Sequence, residues 1–268
     1  MWSGFGGSDE VAGAANDEAC VNVSIEMKPL VAFAVLLLAP VVLAQGGPVR
    51  RRAITPSPAK HRVITLAASK DSTLYEMLDG SVSNGGGSHL FVGTTGNGGV
   101  RRALLAFNIA SQIPAGSHVT RAVLTLSAAG GPGTAPMSLH RITANWGEGA
   151  SVAPGGFIWG NSDGRGTSAQ PGDATWLHTF FPNQRWTKPG GDFEATPDAT
   201  APGGSVKLTW ESPAMITRVQ QWLDQPATNF GWMIRSDESV PRTAKKLDSR
   251  QTSFGTAPVL TIEFDVAP

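Results

Sequence analysis

Cysteine is nearly missing: the 268-residue chain holds one, Cys20. A single thiol near the N-terminus excludes a disulfide framework and a Cys-ligated metal. Tyrosine is as scarce, with Tyr75 alone, and there is no excess charge of either sign, 21 Lys and Arg standing against 21 Asp and Glu. From residue 62 onward sixteen basic residues balance sixteen acidic ones. A nucleic-acid binder would carry a basic footprint on its folded part, so that class is excluded. The Arg50-Arg51-Arg52 run sits in a Pro-containing stretch and reads as solvated linker charge. The five histidines are scattered, without metal-ligand spacing.

Long apolar runs are also lacking, except one. Leu30–Leu43 follows Met27-Lys28 and ends in the small-residue pattern Val42-Leu43-Ala44. This reads as a secretory signal peptide over residues 27–44, too short and weakly flanked for a membrane anchor. Residues 1–26 then form an upstream extension, read as a mis-called start or a pre-sequence, and 45–61 a flexible Pro- and Arg-containing lead-in. Residues 62–268 are expected to form a single domain. Export without disulfides points to a bacterial protein that is secreted, periplasmic or displayed on the cell surface, and monomeric, with no membrane anchor in the mature chain.

What is abundant is glycine, 32 residues, spaced between short β-prone runs. Strands are expected over 62–67, 72–77, 89–94, 100–108, 119–128, 137–143, 205–210, 229–236, 244–247 and 259–264. In the run 119–128, Val119, Arg121, Val123 and Thr125 alternate with Ala122, Leu124 and Leu126, which places one face in a core. Ser212-Pro213 has the form of an N-cap followed by proline, and Met215, Val219, Trp222 and Leu223 follow at helical spacing. Strands separated by such turns predict an all-β antiparallel sandwich with one short helix.

Between the strands at 137–143 and 205–210 the period disappears. Asn145–Phe193 is a long aromatic insertion containing Trp146, Trp159, Trp176 and Trp186 among Gly, Pro, Ser, Asn and Asp. At this length it is either functional or locally folded. Rings combined with short polar groups suit stacking on sugars, with Asp173, Asn183 and Asp192 as hydrogen-bonding neighbours. They equally suit pinning an insertion onto a sheet. Trp176, in the alternating DATWLHTF, is the ring most readily assigned to the core, whereas Trp159 and Trp186 are the first candidates for a ligand.

The runs TLYEMLDGSVSNGGGSHLFVGTTGNGGVRRALLAFNI, IPAGSHVTRAVLTL, GWMIRSDE and AKKLDSR resemble the DNRLRE-type extracellular domains, a family similar to alginate-type carbohydrate-binding modules. The resemblance spans most of Thr65–Phe264. It implies a jelly-roll-like sandwich, exported and without catalytic activity of its own, associated with polysaccharide-active or surface proteins.

Three functions stay open: a non-catalytic module holding a polysaccharide or cell-surface glycan, a structural or adhesive envelope module with a protein partner, and a secreted lyase or glycosidase. Gly160-Asn161-Ser162-Asp163-Gly164 satisfies G-x-S-x-G but lacks the α/β context that gives that motif force. Hard oxygen ligands for a structural calcium are offered by Asp71, Glu76, Asp79 and Asn84, and by Asp192 and Glu194. Arg101, Arg102, Lys246 and Arg250, with Asp237, Glu238 and Asp248, form either ion pairs or a holder for a uronic-acid carboxylate.

Overall fold

The computed structural model describes residues 60–154 and 163–266. The expected leader, the extension before it, most of the lead-in and Trp159 lie outside the described residues, as do Gly160, Asn161 and Ser162. Among the described residues the strands are β1 (Lys60–Ala67), β2 (Lys70–Tyr75), β3 (Val82–Ser83), β4 (His89–Thr94), β5 (Val100–Ala106), β6 (His118–Gly130), β7 (Met137–Arg141), β8 (Thr167–Ser168), β9 (His178–Phe180), β10 (Gln184–Arg185), β11 (Ala199–Ala201), β12 (Lys207–Glu211), β13 (Trp232–Arg235), β14 (Lys245–Asp248) and β15 (Val259–Val266). One helix, α1 (Pro213–Asp224), lies between β12 and β13.

The main sheet runs β1-β15-β6-β14-β4-β5-β13-β7-β11, with β12 also paired to β6 and β2 to β5. Every pairing is antiparallel, and the path curls to give an all-β, sandwich-like fold. Strand β6 is long enough to serve two layers. It pairs with β15 through Thr125 and with β14 from Ala128 onward.

The simple alternation expected along β6 changes phase once. Val119, Ala122, Leu124 and Leu126 are all buried, while Thr120 and Arg121 are both exposed. Glu263 of β15 faces Arg121, and the next residue, Phe264, faces Val119, so Thr120 is the extra residue of a β-bulge. Val119 thereby joins the core face instead of sharing the solvent face with Arg121.

Strand β5 reads as an unbroken apolar run because both of its faces are covered. Ala103 and Leu105 enter the main core with Leu124, Leu126, Leu260 and Ile262. Leu104 and Ala106 enter a second core with Leu74, Met233 and the insertion's Trp146, Trp176 and Trp186. The insertion is therefore a cover on the outer face of β2, β5 and β13. Burying each ring stabilises this arrangement by roughly 2–3 kcal/mol relative to leaving it in water.

The helix forms where expected. Ser212 Oγ accepts the Met215 amide proton at 3.1 Å, Pro213 opens the first turn, and Met215, Val219, Trp222 and Leu223 are buried. Trp222 meets Trp232 edge-on with centroids 4.4 Å apart. Asp198 locks the junction. Its carboxylate accepts from Trp232 Nε1 at 2.8 Å and from Arg218 Nε at 3.0 Å, so one buried acid ties helix, core and sheet. Asp198→Ala leaves the buried indole proton of Trp232 without an acceptor and Arg218 with Glu194 as its remaining carboxylate, and is expected to cost about 1–3 kcal/mol by urea denaturation. The exposed Asp237→Ala leaves the urea midpoint where it is.

Candidate functional site

Three of the four tryptophans expected to meet a ligand are turned inward, and the fourth, Trp159, lies outside the described residues. Trp146 is 1 % exposed, Trp176 7 % and Trp186 5 %. Trp146 Nε1 donates to Phe230 O at 2.8 Å and Trp186 Nε1 to Thr175 O at 2.9 Å. Stacking by these three rings is corrected on that ground, although the assignment of Trp176 to a core holds. The rings serve to bury the outer face of β5, which without them would be bare apolar surface.

The polar neighbours are likewise used internally. Asp173 is fully buried and accepts from the amides of Gln170 (2.7 Å), Ala150 (3.0 Å) and Ser151 (3.4 Å), so it organises the insertion's backbone instead of a sugar. A side chain at Gly149, where φ is +75°, would collide with that carboxylate. Asp192 accepts from Thr187 and Lys188 amides and borders a shallow cleft with Phe193. Asn183 is exposed on the turn between β9 and β10. These residues do not converge on one surface.

The carboxylates and the amide proposed for calcium are dispersed too. Glu76 caps the Val100 amide, Asp79 the Ser81 amide, and Asn84 Oδ1 the Ala153 amide. Glu194 is paired with Arg141 and Arg218. Among the described residues no group of three His, Cys, Asp or Glu gathers as metal ligands would. Protein donors already neutralise the groups that a cation would need.

Asp71 is the exception, with one carboxylate oxygen satisfied and the other not. Its Oδ2 accepts the Arg250 amide at 2.7 Å, and Glu148 accepts the Asp71 amide while Arg250 grips Glu148 with two nitrogens at 2.5 Å. Oδ1 has no partner. Burial, opposed by the Arg250 amide and reinforced by the Glu148 charge, pushes the Asp71 carboxyl up to about 7.

Of the charged set, Arg102 is structural. It grips Glu238 with two nitrogens at 2.8 Å, donates to Gly190 O at 2.6 Å, and lies over the Trp176 and Phe193 rings. Burial alone would raise Glu238, but hydrogen bonds from Arg102 and Arg235 hold it down at about 2.

Arg101, one residue earlier, points to the opposite face of β5. It stacks over Tyr75 and donates to the carbonyls of Val100 (2.9 Å) and Gly164 (3.3 Å). Among the described residues it has no carboxylate within salt-bridge reach. Burial pushes its guanidinium down from the ordinary arginine value, with Tyr75 and Glu76 opposing more weakly. A half-buried cation lacking a counter-ion favours an incoming anion.

That cation borders a cavity of ≈ 440 Å³ with Phe91, Thr95, Asn97, Arg165 and Lys246. Its floor follows from strand pleating. Leu90, Val92 and Leu247 point into the core, so His89, Phe91, Lys246 and Asp248 point out, with Lys246 opposite Phe91 and Asp248 opposite His89. At the end of the neighbouring strand β6, Ala129 and Gly131 contribute almost no side chain, which leaves a trough. Gly131, at φ +96°, packs against the Ala244–Lys246 backbone too closely for a Cβ.

Beside the cavity Lys246 lies 3.5 Å from Asp163, whose carboxylate also bonds His89 Nδ1 at 2.5 Å, while Arg101 and Arg165 have no carboxylate within salt-bridge reach among the described residues. The trough can hold an anionic group by paired N–H donors and meet hydroxyls with Asn97 and Thr95. Arg101 and Lys246 were legible as charged candidates. Phe91, Asn97 and Arg165 were not, since only the fold brings the turn after β4 and the turn before β8 to the same place.

The linkage sign for Asp71 follows from its raised value. The folded state keeps this proton up to about 7 while the unfolded chain releases it near 3.8, so the contribution to stability is present below 3.8 and lost as pH rises through 7. Asp71→Asn is expected to shrink the difference between urea stabilities at about pH 5 and about pH 8, by about 2.7 kcal/mol at most, since only the roughly two pH units between 5 and 7 count. Denaturation curves of both proteins at the two pH values measure it.

Searches with this chain match no protein-family model and no curated protein.

Proposed function

We propose that the domain is a non-catalytic module that binds an acidic polysaccharide in the trough on β4, β14 and β5. The observation that carries this reading is the contrast between adjacent arginines. Arg102 is fully committed to Glu238, whereas Arg101 is half-buried beside an open cavity with no carboxylate partner among the described residues. A guanidinium so placed gains most from a uronate carboxylate, which accepts two parallel N–H bonds. Arg165 and Lys246 add attraction, and the Thr95–Asn97 turn supplies groups for ring hydroxyls.

Other features support this setting. The resemblance to DNRLRE-type domains and the leader-like residues 27–44 favour an exported protein that meets glycans outside the cytoplasm. Among the described residues no helix is long and apolar enough to cross a membrane. The four carboxylates in and beside the insertion that a glycosidase could draw its pair from are engaged, Glu148 by Arg250, Asp173 and Asp192 by backbone amides and Glu194 by Arg141 and Arg218, which favours holding a polymer over cleaving it. His178 is buried, hydrogen-bonded to Thr175 and stacked edge-on against Phe181, as a packed residue is.

Affinity electrophoresis through gels containing polygalacturonate or neutral dextran tests the reading. The protein is expected to be retarded by polygalacturonate, less so at raised salt, and not by dextran. Arg101→Ala should weaken binding by about ten- to a hundredfold, the loss of a charge-assisted hydrogen-bond pair. Equal mobility in every gel, or retardation that Arg101→Ala and Lys246→Ala leave intact, overturns it.

A further inference from the structure

We infer that the trough has two subsites of unlike chemistry and takes a polymer in which an acidic sugar is followed by an uncharged one. This rests on the acidic-polysaccharide reading above and names the class of polymer. The basic cavity does not end at Lys246. Two residues along the same strand, Asp248 and its partner His89 border a second cavity of ≈ 380 Å³ with Ser88, Thr252 and Phe254. Positions i and i+2 of a strand share a face and lie about 6.6–6.8 Å apart, so the cavities are neighbours along one trough.

The second cavity reverses the character of the first. No arginine or lysine borders it. Asp248 supplies a carboxylate, and the His89 ring is committed to Asp163 through Nδ1, with Nε2 4.0 Å from Asp248. A uronate placed here would meet like charge. A neutral sugar would instead donate hydroxyl protons to Asp248.

Phe254 completes this subsite. It is the most exposed large apolar side chain among the described residues, and its ring lines the cavity. The loop that presents it is held at its root. Thr256 N donates to Asp248 Oδ2 at 2.9 Å and Gly255 N to Thr252 Oγ1 at 3.2 Å, while Gly255 packs against Asp248 too closely for a Cβ. A ring held in water beside a carboxylate offers the apolar face of an uncharged sugar a place to stack while its hydroxyls bond to the acid.

Isothermal titration of the full chain with hexasaccharides of hyaluronan, which alternate uronate and uncharged sugar, and of polygalacturonate, which carry uronate throughout, tests the inference. The alternating ligand is expected to bind about tenfold tighter. Phe254→Ala, at a solvent-facing position whose loss leaves the circular dichroism unaltered, should bring the two affinities to within about twofold, and Arg101→Ala should weaken both. Equal wild-type affinities, or a preference that Phe254→Ala preserves, overturns the two-subsite inference and leaves the acidic-polysaccharide reading standing. No binding of either ligand overturns both.

Discussion

The Arg102–Glu238 pair is the contact on which the rest of the arrangement depends. Arg102 is sent to the outer face of β5 by strand pleating, where it is covered by Trp176 and Phe193 and would be an unpaired buried charge without Glu238. Gly190 O fills a further donor position. One side chain thus joins the sheet, the aromatic insertion and the segment after β13. Since neighbouring strand residues face opposite ways, the same pleat sends Arg101 to the trough.

Much of the frame was legible because it obeys local rules. The N-cap at Ser212, the proline after it and the helical spacing of Met215, Val219 and Trp222 are consistent with one another, and the helix follows. Strand β4 lies at the expected residues. The short strands β3, β8, β9, β10 and β11 escaped notice because two or three residues carry no period; long-range partners alone define them. The bulge at Thr120 escaped for a related reason, since a shift of phase depends on the partner strand.

The site was less legible than the fold, and the tryptophans explain why. Aromatic rings among polar residues describe a sugar platform and a packed cover equally well. What decides between them is the outer face of β5, where Leu104 and Ala106 require covering. Likewise nothing local distinguishes Arg101 from Arg102. The difference lies in Glu238, which is distant in sequence, and in Phe91, Arg165 and Lys246, which converge only after the sheet curls.

The account divides the chain's aromatic and charged residues into a cover that is closed and a trough that is open. Titrating ¹⁵N-labelled protein with a polygalacturonate oligosaccharide tests that division directly, because amide and indole resonances report on both regions at once. Shifts centred on Phe91, Arg101 and Lys246, with the indole Nε1–H signals of Trp146, Trp176 and Trp186 stationary, are the result expected. Movement of those indole signals while the trough amides stay still would contradict it.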